Sequence, residues 1–378
     1  LQAPFYWTGK VFAEANLLDA NPDYFQSMQG VPQAISVWMM IGANLMAIGA
    51  CVLAYRIGRR LCDSGLSALI AFAVFIGTPL VYYSTISPVN SHNAGAFTIA
   101  VFLYLLVRCT GALSDNPIGV KHPAWWIVLG IFGGLSILVR WQLAVAIMPA
   151  WVLLAYHRQW RGLAFATVSA GLTLLPLLLI WQAMFGVPIL VPFDAVSEGG
   201  FMQTGDNYAL NVLEMLMSHS PIVLVSLIGL MFLWRKDRAW SLTLGAMIAL
   251  QLIVNGAALD WNAGETYGMR RMSELYAVYV LLTCVTVAHL NEWLRSNHPK
   301  FVRWGRIAII AGFGAIIVYS VAYIGVFIVY SWHHPAWQFD NTPGAMFSYF
   351  SNLPHRWQVL WEVYQSHVGI LAWNLPGA

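Results

Sequence analysis

Charged residues are scarce in this chain: Asp, Glu, Lys and Arg make up 9% of its 378 residues, whereas hydrophobic residues make up 59%. A typical soluble domain carries about 25% charged residues, so this scarcity excludes an ordinary soluble fold. The mean hydropathy of +0.65 points the same way. The composition therefore predicts an integral membrane protein.

Several motifs are absent, and their absence narrows the function. The sequence has no phosphate-binding loop, no dinucleotide fingerprint and no internal repeat. A net charge of +3 argues against a nucleic-acid partner. Because none of the four cysteines falls in a predicted outer loop, we expect no disulfide framework. The chain begins at Leu1 without an initiator Met, and we expect further residues upstream.

Long apolar runs predict an all-α polytopic membrane protein with about ten transmembrane helices. A bilayer core about 30 Å thick requires about 20 apolar residues in a helix, whose backbone groups are hydrogen-bonded internally. The predicted spans are 32–55, 65–83, 92–109, 124–139, 141–156, 162–185, 219–234, 239–258, 272–291 and 307–331. The predicted division is an outer-face interfacial segment at 1–31, a transmembrane domain at 32–331 and an outer-face Trp-rich tail at 332–378.

The basic residues predict the orientation. Most of the 19 Lys and Arg residues fall in the loops after the odd-numbered spans or at the adjoining helix ends, which the positive-inside rule places in the cytoplasm. Arg140, Arg270 and Arg271 fall on the opposite, outer side. We therefore expect the basic loops in the cytoplasm and both termini on the outer side.

The segment 264–274 concentrates charge directly before an apolar run. Because the planar guanidinium binds phosphate bidentately and stays charged, Arg270 and Arg271 are predicted to hold a phosphate, with Arg140 as an auxiliary. The alternative is that they anchor the helix at the interface or pair with Glu265 and Glu274. Adjacent helical residues point about 100° apart, so we expect only one arginine of the pair to face the site.

Four further residues are predicted to line the site: Asn90, His92, Glu265 and Tyr267. His92 is either a metal ligand, a group that hydrogen-bonds the donor, a helix cap or a packed side chain. Glu265 is either a secondary acid, a group that orients the arginines or a plain ion-pair partner. A divalent metal ion is thus left open as a cofactor, with His92 as its candidate ligand.

Three short motifs carry a family resemblance: Pro88–His92, Gly134–Arg140 and Tyr267–Arg271. In sequence and order they resemble bacterial membrane glycosyltransferases of the GT-C fold, relatives of the protein O-mannosyltransferases and the lipid A aminoarabinose transferase. The resemblance implies a polyprenyl-phosphate sugar donor and a lipid, glycan or protein acceptor at the outer face. It also implies a catalytic acid in the first outer loop, upstream of Leu1. Where many relatives carry a second acid, this chain has Asn90, Ser91 and His92.

Three other functions compete with the transferase. A lipid-linked oligosaccharide polymerase or ligase also uses outer arginines. A transporter of this size usually shows a repeat and broken helices at the midplane, which this sequence lacks. A non-catalytic membrane subunit is the third alternative.

Overall fold

The computed structural model describes residues 2–14, 33–88, 90–113, 122–189, 213, 216, 219–257, 267–333 and 348. These residues form helices and the turns between them, and no strand occurs among them. The all-α prediction is confirmed for this part of the chain. Of the predicted interfacial segment only 2–14 is described, and of the Trp-rich tail only 332–333 and 348.

The α-helices of the described residues are numbered here in chain order. They are α1 (Ala3–Glu14), α2 (Gln33–Gly58), α3 (Ser64–Ile76), α4 (Leu80–Thr85), α5 (His92–Thr110), α6 (Pro123–Val139), α7 (Ala144–Tyr156), α8 (Trp160–Phe185), α9 (Ile222–Lys236), α10 (Arg238–Gly256), α11 (Tyr276–Asn297) and α12 (Val302–His333). Three 3-10 turns, Trp141–Leu143, Arg270–Leu275 and Pro299–Phe301, precede α7, α11 and α12.

Six of the described segments are long and apolar enough to cross a membrane: Val37–Gly58, His92–Thr110, Trp160–Phe185, Arg238–Gly256, Arg270–Asn297 and Pro299–Ile328. They are compatible with an integral membrane protein. The predicted count of about ten is not confirmed. The other four predicted runs correspond to α3, α6, α7 and α9, which have 13, 17, 13 and 15 residues. At 1.5 Å per residue, each of these is shorter than a 30 Å hydrocarbon core.

Helix α11 forms the centre of the bundle. Its residues from Tyr276 to Val287 are all buried, and it packs against α2, α3, α5, α9 and α12. A hydrogen bond anchors its first residue: the Tyr276 hydroxyl donates to the Ala71 carbonyl at 2.8 Å. The helix therefore holds the residues at its start in a fixed position relative to five neighbouring helices.

Helices α8 and α12 lie at the periphery. In the most apolar stretch of each, only 11% and 17% of the residues are buried. Leu172 of α8 is 65% exposed and Val318 of α12 is 69% exposed. Apolar surface of this extent has no favourable contact with water, so it suits a lipid environment.

Helices α2, α5, α9 and α11 run in the same direction. Gly95 near the start of α5 lies beside Glu274 just before α11, and Gly58 at the end of α2 lies beside Cys284 within α11. The last turns of these four helices carry the basic residues Arg56, Arg108, Arg235, Lys236 and Arg295. We call this end of the bundle the basic end, and the opposite end, where α5 and α11 begin, the site end.

Candidate functional site

The site begins at a turn that requires glycine. Gly268 adopts a φ of 60°, a conformation that side chains disfavour, and a Cβ there would lie 2.9 Å from Cγ of Pro79. The 3-10 turn Arg270–Leu275 follows and leads directly into α11. Six residues is a long run for a 3-10 helix, which rarely exceeds about four residues, and such stretches often mark functional positions.

The 3-10 turn decides which side chains share a face. Residues three apart eclipse one another in this geometry, so Arg271 and Glu274 lie on one face and Arg270 and Ser273 on another. Arg271 is 5% exposed and Glu274 is 0% exposed, whereas Arg270 is only partly buried. Arg271 is therefore the arginine on the buried face, and the expectation that only one of the pair faces the site stays a prediction.

The carboxylate of Glu274 joins two other elements. Its Oε1 accepts from Nε of Arg140 at 2.8 Å and lies 2.9 Å from Nδ1 of His92. Because a carboxylate only accepts, Nδ1 carries the proton in this contact. Its Oε2 is buried and makes no hydrogen bond among the described residues. Glu274 thus ties α5, α6 and α11 together at the site end.

Arg140 lies in extended conformation between α6 and the next 3-10 turn. Its Nη1 donates to Oγ of Ser91 at 3.0 Å and lies 3.3 Å from Nε2 of His92. With the amide oxygen of Gln142 turned toward the guanidinium, that oxygen accepts from Nη2 at 2.8 Å. The Arg140 side chain is 16% exposed. Its position is therefore fixed by several neighbours, while part of the group stays accessible.

His92 is the first residue of α5. Its backbone N–H donates to Oδ1 of Asn90 at 3.0 Å, so Asn90 organises the helix start. The His92 ring lies 4.8 Å from the Tyr83 ring, measured between centroids. The His92 side chain thus contacts Glu274 and Tyr83, and Asn90 rather than His92 caps the start of α5.

Tyr267 belongs to an aromatic cluster beside the site. Its ring lies 5.0 Å from that of Tyr82 and 5.2 Å from that of Phe327. Its carbonyl accepts from the Tyr83 hydroxyl at 3.0 Å, which links the cluster to His92. Burial raises the pKa of the Tyr267 phenol well above its usual value, so this group is neutral.

Positive charge exceeds negative charge in the described part of the site. Arg140, Arg270 and Arg271 all act electrostatically on both His92 and Glu274. Three guanidinium groups therefore lie close enough to one carboxylate to act on it, with Arg140 in direct contact, and burial weakens solvent screening. Such a site favours an anion, and phosphate matches the geometry of guanidinium best.

Neither the metal hypothesis nor the Glu265 hypothesis gains support. Among the described residues, no group of three or more His, Cys, Asp or Glu side chains could hold a metal ion. His92 has one carboxylate beside it, Glu274. Glu265 lies in 258–266, outside the described residues. Arg140 and His92, which the sequence assigned to the same side of the membrane, are in direct contact.

Sequence reasoning missed the central role of Glu274. It was considered only as a partner of Arg270 and Arg271, whereas its carboxylate pairs with Arg140. Gln142 and Ser91 were not assigned to the site either. Their signal in the sequence was weak, because both simply flank a predicted residue.

Comparisons of the chain with protein-family models, with curated proteins and with solved structures give no significant match. The resemblance to membrane glycosyltransferases therefore depends on three short motifs and their order along the chain.

Proposed function

We propose that this protein is a membrane glycosyltransferase that moves a sugar from a polyprenyl-phosphate donor to a lipid, glycan or protein acceptor. The observation that carries the proposal is the cluster of Arg140, Arg270 and Arg271 around Glu274, directly before the central helix α11. A phosphate on a lipid arrives at the membrane surface, where this cluster lies if α11 spans the bilayer.

The charge polarity of the bundle supports reaction at the outer face of a bacterial inner membrane. The parallel helices α2, α5, α9 and α11 end in basic residues, which the positive-inside rule assigns to the cytoplasm. The site end then faces outward. In the same proposal the shorter helices α3, α6, α7 and α9 also cross, which gives ten spans.

The chemistry assigns separate tasks to the arginines and to an acid. In glycosyl transfer the bond between the sugar C1 and the phosphate oxygen breaks, and the polyprenyl phosphate leaves with its electron pair. Arginines stabilise that developing charge. The acceptor hydroxyl forms the new bond to C1 and gives its proton to a carboxylate. The family resemblance puts this acid upstream of Leu1.

Within the cluster, the geometry separates the three arginines. Glu274, Ser91 and Gln142 hold Arg140, so its role is to shape the site. Arg271 shares the buried face with Glu274, where water screens its charge least. We assign the main phosphate contact to Arg271, with Arg270 as the more exposed second contact.

Binding of undecaprenyl phosphate to the purified protein tests this assignment. Loss of one charge-assisted hydrogen bond costs about 1.5–3 kcal/mol, so we expect Arg271→Gln to weaken binding by about 10- to 150-fold. Arg270→Gln should have a smaller effect, and Arg303→Gln at the basic end should have none. The uncharged lipid undecaprenol should bind weakly to all variants. Equal binding of undecaprenol and undecaprenyl phosphate to the unmodified protein would refute the phosphate site.

The lipid-linked oligosaccharide polymerase or ligase remains the nearest rival, since it would use the same arginines. A polyprenyl-phosphate donor that carries a single sugar distinguishes the two. Only the proposed transferase should turn this donor over.

A further inference from the structure

A groove of about 590 Å³ lies between α7, the end of α9 and the first two-thirds of α10, and none of its lining residues belongs to the candidate site. Its walls are almost entirely apolar, and Arg238 is its one charged lining residue. The volume lies within the range of about 300–1,000 Å³ that is usual for small-molecule pockets. Its lining includes Met148, Pro149, Val152, Tyr156, Trp234 and Arg238.

The sequence of α7 and α10 explains why a hollow forms there. Ala239, Thr243 and Ala246 follow one another on one face of α10, and all three line the groove with small side chains. The Thr243 hydroxyl donates to the Ala239 carbonyl at 2.8 Å, so this face presents no free donor. Across the groove, Pro149 lies inside α7, where its ring removes a backbone hydrogen bond and distorts the helix.

Polar groups are confined to one end of the groove. Tyr156 ends α7, Trp234 lies near the end of α9, and Arg238 begins α10, all at the basic end. The guanidinium of Arg238 lies 5.6 Å from the Trp234 ring centroid, and Arg238 forms no ion pair among the described residues. Aromatic and basic side chains together are typical of the level of lipid headgroups.

The length of the groove matches one leaflet. From Arg238 to Leu250, α10 rises about 18 Å at 1.5 Å per residue, and half of a bilayer core is about 15 Å. The large side chains Met148 and Val152 line this depth and are 61% and 69% exposed. The dimensions therefore suit an acyl chain that enters from the basic end.

We propose that this groove binds one anionic phospholipid, with its phosphate at Arg238 and an acyl chain along α7 and α10. Charge complementarity selects the occupant, because Arg235, Lys236 and Arg238 lie at the groove mouth beside a single carboxylate, Asp237, which already accepts from the Trp240 N–H. Among the described residues, no acidic side chain lines the groove. Basic pockets between membrane helices on the cytoplasmic side are known to bind anionic headgroups. The site is separate from the arginine cluster and does not depend on the proposed glycosyltransferase activity.

Native mass spectrometry of the whole protein, released from detergent with added lipid, tests the proposal. The probes are phosphatidylglycerol and phosphatidylcholine with identical acyl chains. We expect one phosphatidylglycerol to be retained about fivefold better than phosphatidylcholine, and Arg238→Gln to abolish this preference. Val152→Trp should fill the groove and reduce retention of both lipids. Leu242→Trp, on the opposite wall, should repeat that result if Val152→Trp folds poorly.

Matched controls separate the groove from the general membrane surface. Arg303→Gln removes an exposed cation at the basic end that does not line the groove, and Leu172→Trp enlarges a comparably exposed side chain on α8. Both should bind like the unmodified protein. Equal retention of the two phospholipids by that protein would overturn the proposal. Displacement of phosphatidylglycerol by equimolar undecaprenyl phosphate would overturn it too, because the occupant would then be a polyprenyl lipid.

Discussion

The pair formed by Glu274 and Arg140 should be strongly coupled, and a double-mutant cycle measures that coupling. The variants are Glu274→Leu, Arg140→Leu and the double substitution. In the folded protein the two side chains are 0% and 16% exposed, and Oε1 and Nε are 2.8 Å apart. Each single substitution leaves the other charge in a buried position, with only weaker neighbours to compensate it.

The burial sets the expected size of the effect. Removing one member of a buried ion pair costs about 3–5 kcal/mol, whereas replacing both members by apolar groups is often nearly neutral. Here the double variant also deprives His92, Ser91 and Gln142 of a partner. We therefore expect the double variant to lose about as much stability as one single variant, which gives a coupling energy of about 3 kcal/mol.

The assay is equilibrium unfolding in mixed micelles titrated with SDS, followed by circular dichroism. The internal control is the pair of Arg306 and Asp63, whose side chains are 45% and 52% exposed. Exposed pairs contribute at most about 1 kcal/mol, so Arg306→Gln should change stability little. Raising the salt concentration should weaken only this control pair, since buried charges are screened far less.

Additive losses would refute the reasoning. If the double variant lost the sum of the two single losses, Glu274 and Arg140 would stabilise the protein independently. The reasoning would also be refuted if Glu274→Leu lowered the free energy of unfolding no more than Arg306→Gln does. Glu274 would then behave like a solvated carboxylate.

Three glycine substitutions test the packing and the turn by the same unfolding assay. Gly130→Ala should cost about 1–3 kcal/mol, since its Cβ would lie 2.1 Å from the Ala166 carbonyl oxygen of α8. Gly171→Ala is the matched control: nothing lies within 4 Å of its Cβ, so higher helix propensity should leave stability unchanged or raise it by up to about 1 kcal/mol. Gly268→Ala should destabilise the protein by about 1–2 kcal/mol because of its φ of 60°. It should also weaken undecaprenyl phosphate binding, since Gly268 directs the chain into the arginine-bearing turn.

The positions of the helices were largely predictable from the sequence. Each of the ten predicted apolar runs overlaps a described α-helix, because apolar run length is the dominant signal for such helices. Their lengths were not predictable to the same degree. The run 65–83 reads as continuous, yet α3 ends at Ile76 with Gly77 as its C-cap and Pro79 just beyond. The hydropathy pattern does not show that the helix ends here, because the end is determined by the backbone hydrogen bonding at the C-cap.

The site was predictable in part, through charge and position. Arg140 and His92 lie 48 residues apart in sequence, and both were predicted at the outer side; Nη1 of Arg140 lies 3.3 Å from Nε2 of His92. Asn90 also lies at the site, where its side chain caps the backbone of His92. The pairing of these groups through one carboxylate was not predictable, because the packing of α5, α6 and α11 decides it.

The register of the turn before α11 explains why Glu274 was missed. Read as an α-helix, the segment places Arg270 and Glu274 four residues apart on one face, which favours an ion pair between them. The structure instead has a 3-10 turn over Arg270–Leu275, in which residues three apart eclipse. Glu274 then shares its face with Arg271 and turns toward α5 and α6, where Arg140 and His92 meet it. The single change of helix type thus turns the buried carboxylate away from the partly buried Arg270 and toward the interior, and it makes Arg271 the stronger candidate for binding phosphate.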